Sequence, residues 1–186
     1  MQAARRKWQA AQPALDITKL IFLDETGAST NMARREGHAP RGERGVASVP
    51  HGHWHTTTFV AGLRHGAITA PMVADGAMTG ALFLKYVHEC LARYCTQATS
   101  SLRTTYVGTK WRVLKRPLKR SVHTSAIFRR IPQNPIKKRF ATLNALLRKA
   151  APRTVDALWA DISMLLDRFT PAECTRYLAS SGYVKT

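Results

Sequence analysis

Apolar residues fall into short runs early in the chain and take helical spacing in its last third. The first apolar run follows Lys19 and covers 20–23; it contains no alternating polar positions, which predicts a central strand covered on both faces. It ends at the acids Asp24 and Glu25, and the small residues that follow are expected to stop the strand. Asp24 would then lie at a sheet edge, rigidly held and open to solvent, although an Asp-Glu pair after a strand is more often a cap or a solvated pair.

Further strands are predicted for 46–49 and 56–63, with an edge strand at 68–73 that Pro71 interrupts. Thr79 can cap a helix that runs to about residue 92. Its apolar stripe consists of Phe83, Leu84, Val87, Cys90 and Leu91. These patterns indicate core packing rather than chemistry.

The last third of the chain predicts three helices. The first two have apolar positions at helical spacing: Phe140, Leu143 and Leu147, then Val155, Leu158, Trp159, Ile162, Leu165, Leu166 and Phe169. Pro152 separates these two helices. The third begins at Thr170, because Thr170 and Glu173 form a capping box with Pro171 at the first helical position.

The composition indicates that the protein binds an anionic partner. The formal net charge is +18 over 186 residues, which indicates binding to nucleic acid by counterion release. Between Glu89 and Asp156 there is no acid, whereas 16 of the 29 Lys and Arg residues lie there. This tract is either a nucleic-acid-binding surface or a sequence never selected as protein.

Other classes of protein receive little support. No apolar run is long enough for a membrane span and the N-terminus has no signal-like core, so a cytoplasmic location is expected. The three cysteines lack paired metal-ligand spacing and are expected to be reduced thiols. His51, His53 and His55 alternate as a metal patch would require, but no carboxylate or cysteine accompanies them.

Three segments carry a resemblance to a known family: 22–31, 34–44 and 50–63. They resemble the catalytic domain of mariner-like bacterial insertion-sequence transposases of the DDE superfamily, and the likeness covers residue 5 to about residue 92 and resumes from 134 to 183. The resemblance implies an α/β, RNase H-like (retroviral-integrase-like) core that is incomplete here, followed by C-terminal helices. It also implies metal-dependent DNA cleavage and strand transfer with Mg²⁺ or Mn²⁺, Asp24 as the first metal ligand, and a possible homo-oligomer.

Two further acids of that family are missing from this sequence. The family's Asp-Asn-Leu motif is absent, and its Ser-Pro-Asp-x-Asn-Pro-Ile-Glu motif survives only as residues 132–137, with Lys137 in the position of the Glu. Codons compatible with 103–132, read one nucleotide earlier, can encode Asp-Asn-Leu and Tyr-Leu-Pro-Pro-Tyr-Ser-Pro. We therefore expect a frameshift across 94–133, loss of the strand beside Asp24, and a catalytically disabled protein.

The resulting division of the chain has four parts: 1–18, a basic connection; 19–93, the N-terminal half of the catalytic domain; 94–133, a basic, out-of-frame and poorly ordered segment; and 134–186, the helical part. Candidate DNA-binding residues are Arg34, Arg35, Arg41, Arg44, Lys110, Arg112, Lys115 and Arg116. Two alternatives remain open: a non-catalytic basic nucleic-acid-binding fragment in which Trp111 stacks on bases, and a decayed gene product without function.

Overall fold

A computed structural model describes residues 15–96, the backbone of 105–107, residues 134–183, and Ala3, Arg6, Gln9, Ala10 and Gln12. Its centre is a four-stranded sheet in the order β3-β2-β1-β4. The strands are β1 (Leu20–Ser29), β2 (Thr56–Arg64), β3 (Ala67–Asp75) and β4 (Thr105–Val107). β1, β2 and β3 are antiparallel neighbours, and β4 pairs with β1 in parallel.

β1 is the central strand that its unbroken apolar run predicts, but it is longer than expected. The prediction that small residues end it after Glu25 is wrong, because β1 pairs with β2 as far as Ser29 opposite Thr56. The β-branched residues 56–58 supply that pairing. Asp24 therefore lies in the middle of the strand and is only 6% exposed, so its expected place at an open edge is also wrong.

Two other strand predictions need correction. Residues 46–49 form no strand; Val46 and Val49 are 91% and 63% exposed in a segment that has no neighbouring strand to bond. The expected loss of the strand beside β1 is wrong as well, since Thr105–Val107 pairs with Leu20–Phe22. Backbone pairing needs no particular side chains, so three residues of the basic tract suffice. The edge strand that contains Pro71 is confirmed as β3.

Helices cover both faces of the sheet. One face carries α1 (Gly80–Tyr86), which continues through a π-helical turn (Val87–Leu91) into α2 (Ala92–Thr96). The other carries α3 (Ile136–Ala150), α4 (Val155–Asp167) and α5 (Pro171–Ala179). The predicted Thr79 cap and the Thr170–Glu173 capping box are both confirmed. Within the described ranges, no helix is long and apolar enough to cross a bilayer.

The side chains of β1 alternate between two cores. Ile21 and Leu23 pack among Phe83, Tyr86, Val87 and Leu91 of the α1 side. Leu20, Phe22 and Ala28 pack on the other face with apolar residues of α3, α4 and α5. Because successive strand residues point to opposite faces, Asp24 and Thr26 belong to the face that α3 covers. This alternation brings the polar residues of β1 and α3 together.

Candidate functional site

The segment that leads into α3 is attached to β1 directly beside Asp24. Asn134, 4% exposed, donates from Nδ2 to the carbonyl oxygen of Leu23 at 2.8 Å. One residue earlier, Phe22 pairs with Val107 of β4. The amide of Asn134 satisfies a buried carbonyl oxygen, which would be costly to leave unpaired. The start of α3 is fixed in register with Asp24.

Lys137, in the first turn of α3, reaches the Asp24 carboxylate. Its Nζ lies 3.8 Å from Oδ2 of Asp24. The two side chains differ strongly in burial: the Asp24 side chain is 5% exposed and that of Lys137 is 58% exposed. The lysine thus places an ammonium group at the open side of an almost buried carboxylate. Any cation approaching Asp24 from this side meets a like charge.

A second polar contact lies further along the same two elements. Asn144 of α3 donates from Nδ2 to the Thr26 hydroxyl of β1 at 2.8 Å. Lys137, Asn144 and Arg148 fall on one stripe of α3, since residues seven and four apart share a helical face. β1 and α3 run in the same direction, because Asp24 meets Lys137 and the later Thr26 meets the later Asn144.

Contacts with α5 and with Phe169, which precedes it, also hold α3 in place. The Arg139 side chain is 1% exposed, its guanidinium carbon lies 3.2 Å above the Phe169 ring, and Nη1 lies 3.7 Å from Oε2 of Glu173. A backbone hydrogen bond from Thr170 is the main cause that lowers the pKa of Glu173, and Arg139 contributes to the same shift. Glu173 therefore stays ionised while it caps α5 and faces the arginine.

In the part of the chain that the structure describes, no three His, Cys, Asp or Glu side chains come close enough together to hold a divalent metal ion. The Asp24 carboxylate has the ammonium group of Lys137 as a neighbour. His51, His53 and His55 lie in an exposed stretch before β2, where the backbone of His55 pairs with Thr30. Oxygen-rich ligand sets of the kind Mg²⁺ prefers are not formed by these groups.

The sequence-predicted DNA-binding residues fall into two sets. Arg34, Arg35, Arg41 and Arg44 are all exposed in the segment between β1 and β2. Lys110, Arg112, Lys115 and Arg116 lie outside the described residues. Of the three cysteines, Cys174 is buried and Cys90 half-buried, and burial is the main cause that raises the pKa of the Cys90 thiol.

Sequence reasoning missed three polar residues that build this region: Asn134, Asn144 and Arg153. Arg153 donates from Nη1 to the carbonyl oxygens of Thr30 (3.2 Å) and Met32 (2.9 Å), which fixes the turn after β1. For Asn134, the surviving Asn-Pro-Ile fragment was an available signal. For the other two, nothing in local spacing distinguishes them from surface residues.

Three features define the class of the protein: the order of its sheet, the acid in the central strand, and the helices on both faces. The chain matches the family described as "DDE superfamily endonuclease" over residues 19–131, and it belongs to that family. The matched range runs through 94–131, a segment that the sequence resemblance left out, and ends before Lys137. No curated protein gave a match.

The solved structures most similar to it include those of a mariner transposase. One is the "Mos1 transposase paired-end complex with left transposon end", with a TM-score of 0.69 at 9% identity over 97% of this chain. Another is the "Mos1 mariner paired end complex with Mn", with a TM-score of 0.68 at 10% identity over 96% of this chain. The chain spans 57% of the length of each of those proteins. The likeness confirms the predicted RNase H-like α/β fold and the resemblance to mariner-like transposases.

Proposed function

We propose that this protein derives from the transposase of a bacterial insertion sequence, retains DNA binding, and has lost strand cleavage. The observation that carries the proposal is the 3.8 Å contact between Lys137 and Asp24. The surviving Asn-Pro-Ile fragment puts Lys137 in the position of the family's glutamate. A residue in that position would have to reach the first acid if the two once held a metal together, and Lys137 does so.

The proposed loss of DNA cleavage follows from the positive charge of Lys137 beside Asp24. Two-metal phosphoryl transfer requires cations about 4 Å apart, held by several carboxylates. DDE transposases use such divalent cations, and a structure with Mn is among the similar proteins. Here one carboxylate remains in that position and a lysine ammonium occupies the approach to it. We therefore assign Asp24 as a former metal ligand with no productive cation.

DNA binding is supported by separate features of the chain. The charge of +18 does not depend on the metal site, and it should give non-specific affinity that falls steeply with salt. The exposed arginines Arg34, Arg35, Arg41 and Arg44 are available to phosphates. The similar Mos1 structures are complexes with transposon ends. A homo-oligomer, a cytoplasmic location and a decayed, pseudogene-like origin belong to the same proposal.

The proposal is tested by incubating the full chain with supercoiled plasmid and Mg²⁺ or Mn²⁺. We expect retarded migration of the plasmid, reversed by salt, and no nicked or linear product. The Asp24→Ala variant should behave identically, since Asp24 has no remaining catalytic role. Nicking by the wild-type chain that disappears in Asp24→Ala would show that an active metal site still assembles. Absence of salt-sensitive binding would favour a gene product without function.

A further inference from the structure

A groove opens at the end of β1, beyond the Asp24 contact. It has a volume of about 350 Å³ and is formed by residues at the end of β1, the turn that follows, the start of β2 and the last turn of α3. Its charged lining residues are Arg35 and Arg148, and its polar lining includes Ser29 and Asn31. The hydroxyl of Ser29 donates to Oδ1 of Asn31, which leaves the amide nitrogen of Asn31 as a donor for a ligand.

The groove is strongly cationic. Neither Arg35 nor Arg148 forms an ion pair with any residue in the described part of the chain. The acid nearest to Arg35 in sequence, Glu36, is exposed and does not line the groove. Two guanidinium groups that share one concavity without a carboxylate repel each other unless an anion lies between them. Planar guanidinium donors suit phosphate oxygens.

The groove is also rigid on one side. Arg153 holds the turn after β1 through the carbonyl oxygens of Thr30 and Met32, and Thr30 exchanges hydrogen bonds with the backbone of His55. The wall that carries Asn31 is therefore fixed before any ligand arrives. A preformed wall lowers the entropy cost of binding.

The groove and the Asp24 carboxylate both lie beside β1 and α3. Arg148 is eleven residues after Lys137 on the same stripe of α3, a separation of roughly 16 Å along the helix. The polar contacts between β1 and α3 occupy the interval between them. A DNA strand whose phosphates follow the boundary between β1 and α3 would pass both Lys137 and Arg148.

We propose that Arg35 and Arg148 bind one phosphodiester group of a DNA backbone that runs along the boundary between β1 and α3. This inference rests on the proposed DNA binding and adds the place where one phosphate is held. Arg148 supplies a guanidinium from the helix and Arg35 one from the loop, with the amide of Asn31 as a neutral donor. The contact is to the backbone, so it is independent of DNA sequence.

The test is a salt titration of binding to a short duplex, followed by fluorescence anisotropy, for Arg35→Gln, Arg148→Gln and the double variant. Losing one phosphate contact should lower the slope of log K against log salt by about 0.9. Because both arginines hold the same phosphate, either single variant should cause most of the loss, and the double variant should lose less than the sum of the two.

The matched control is Arg64→Gln with Arg168→Gln, which removes the same charge at the far ends of β2 and α4. These changes should act additively and leave the slope within a few tenths of the wild-type value. Arg148→Lys, which keeps the charge but not the planar donors, should fall between wild type and Arg148→Gln. An intermediate salt slope for Arg148→Lys would show that the loss in Arg148→Gln does not arise from misfolding.

The outcomes separate the two proposals. If wild type binds with a steep salt dependence but the groove variants match the control pair, the groove assignment is overturned and DNA binding stands. A change in stability alone on replacing Arg148 would reduce its role to a favourable cation in the last helical turn, which also overturns the assignment. If wild type shows no salt-dependent binding, both proposals fall.

Discussion

Replacing Lys137 by methionine should destabilise the fold through Asp24. The lysine lies 3.8 Å from a carboxylate that is 5% exposed, so its removal leaves an almost buried acid without its ammonium neighbour. At an effective dielectric constant of about 20, that separation corresponds to an attraction of about 4 kcal/mol. Solvent reaches the lysine, which is 58% exposed, and this screening reduces the net value to about 1–2 kcal/mol.

The measurement is a double-mutant cycle in urea unfolding with Lys137→Met, Asp24→Asn and both together. Since the pair interacts directly, the double variant should recover about 1 kcal/mol relative to the sum of the two single changes. Lys149→Met, an exposed lysine of the same helix, is the charge-matched control and should change the free energy of unfolding by a few tenths of a kcal/mol. A coupling energy indistinguishable from zero would refute the contact as an energetic feature.

Four further predictions concern the residues around the site and the origin of the chain. Asn134→Ala should cost about 1–3 kcal/mol because it leaves the Leu23 carbonyl oxygen unsatisfied; an unfolding midpoint equal to wild type would contradict this. Thr170→Ala should cost about 1 kcal/mol by loss of the cap. Because folding lowers the pKa of Glu173, its stabilisation is fully present above the ordinary glutamate pKa of about 4.5 and is lost as pH falls through the lower pKa of the folded state. Glu173→Gln should therefore flatten the acid limb of the stability curve, and an unchanged limb would exclude this role. The encoding DNA should hold an open frame one nucleotide earlier across 94–133 with Asp-Asn-Leu and Pro-Pro-Tyr-Ser-Pro; stop codons there would end the frameshift account.

The sequence predicted those elements whose signals are local. The cap at Thr79, the capping box at Thr170 and the helical spacing of Phe140, Leu143 and Leu147 depend on neighbours within a few residues, and the structure contains all of them. The length of β1 depends instead on pairing with β2 about thirty residues away. Gly27 and Ser29 are poor strand formers alone, so propensity ended the strand too early.

The candidate site was predictable only in part for the same reason. Asp24 and Lys137 were identified from motif fragments, but their mutual contact joins positions far apart in the chain. Arg148 has no local mark of a binding residue, because basic residues in a last helical turn are usual. Only the fold brings it beside Arg35 in one groove.

Mn²⁺-dependent thermal unfolding of Lys137→Glu tests most directly the proposal that Lys137 blocks a former metal site at Asp24. With Mn²⁺ at about ten times its dissociation constant, binding to the restored carboxylate pair would add about 1.4 kcal/mol, or a few degrees in Tm. We predict that shift for Lys137→Glu, its loss in Lys137→Glu with Asp24→Ala, and none for wild type. A wild-type shift that requires Asp24, or no shift in Lys137→Glu, would contradict the account.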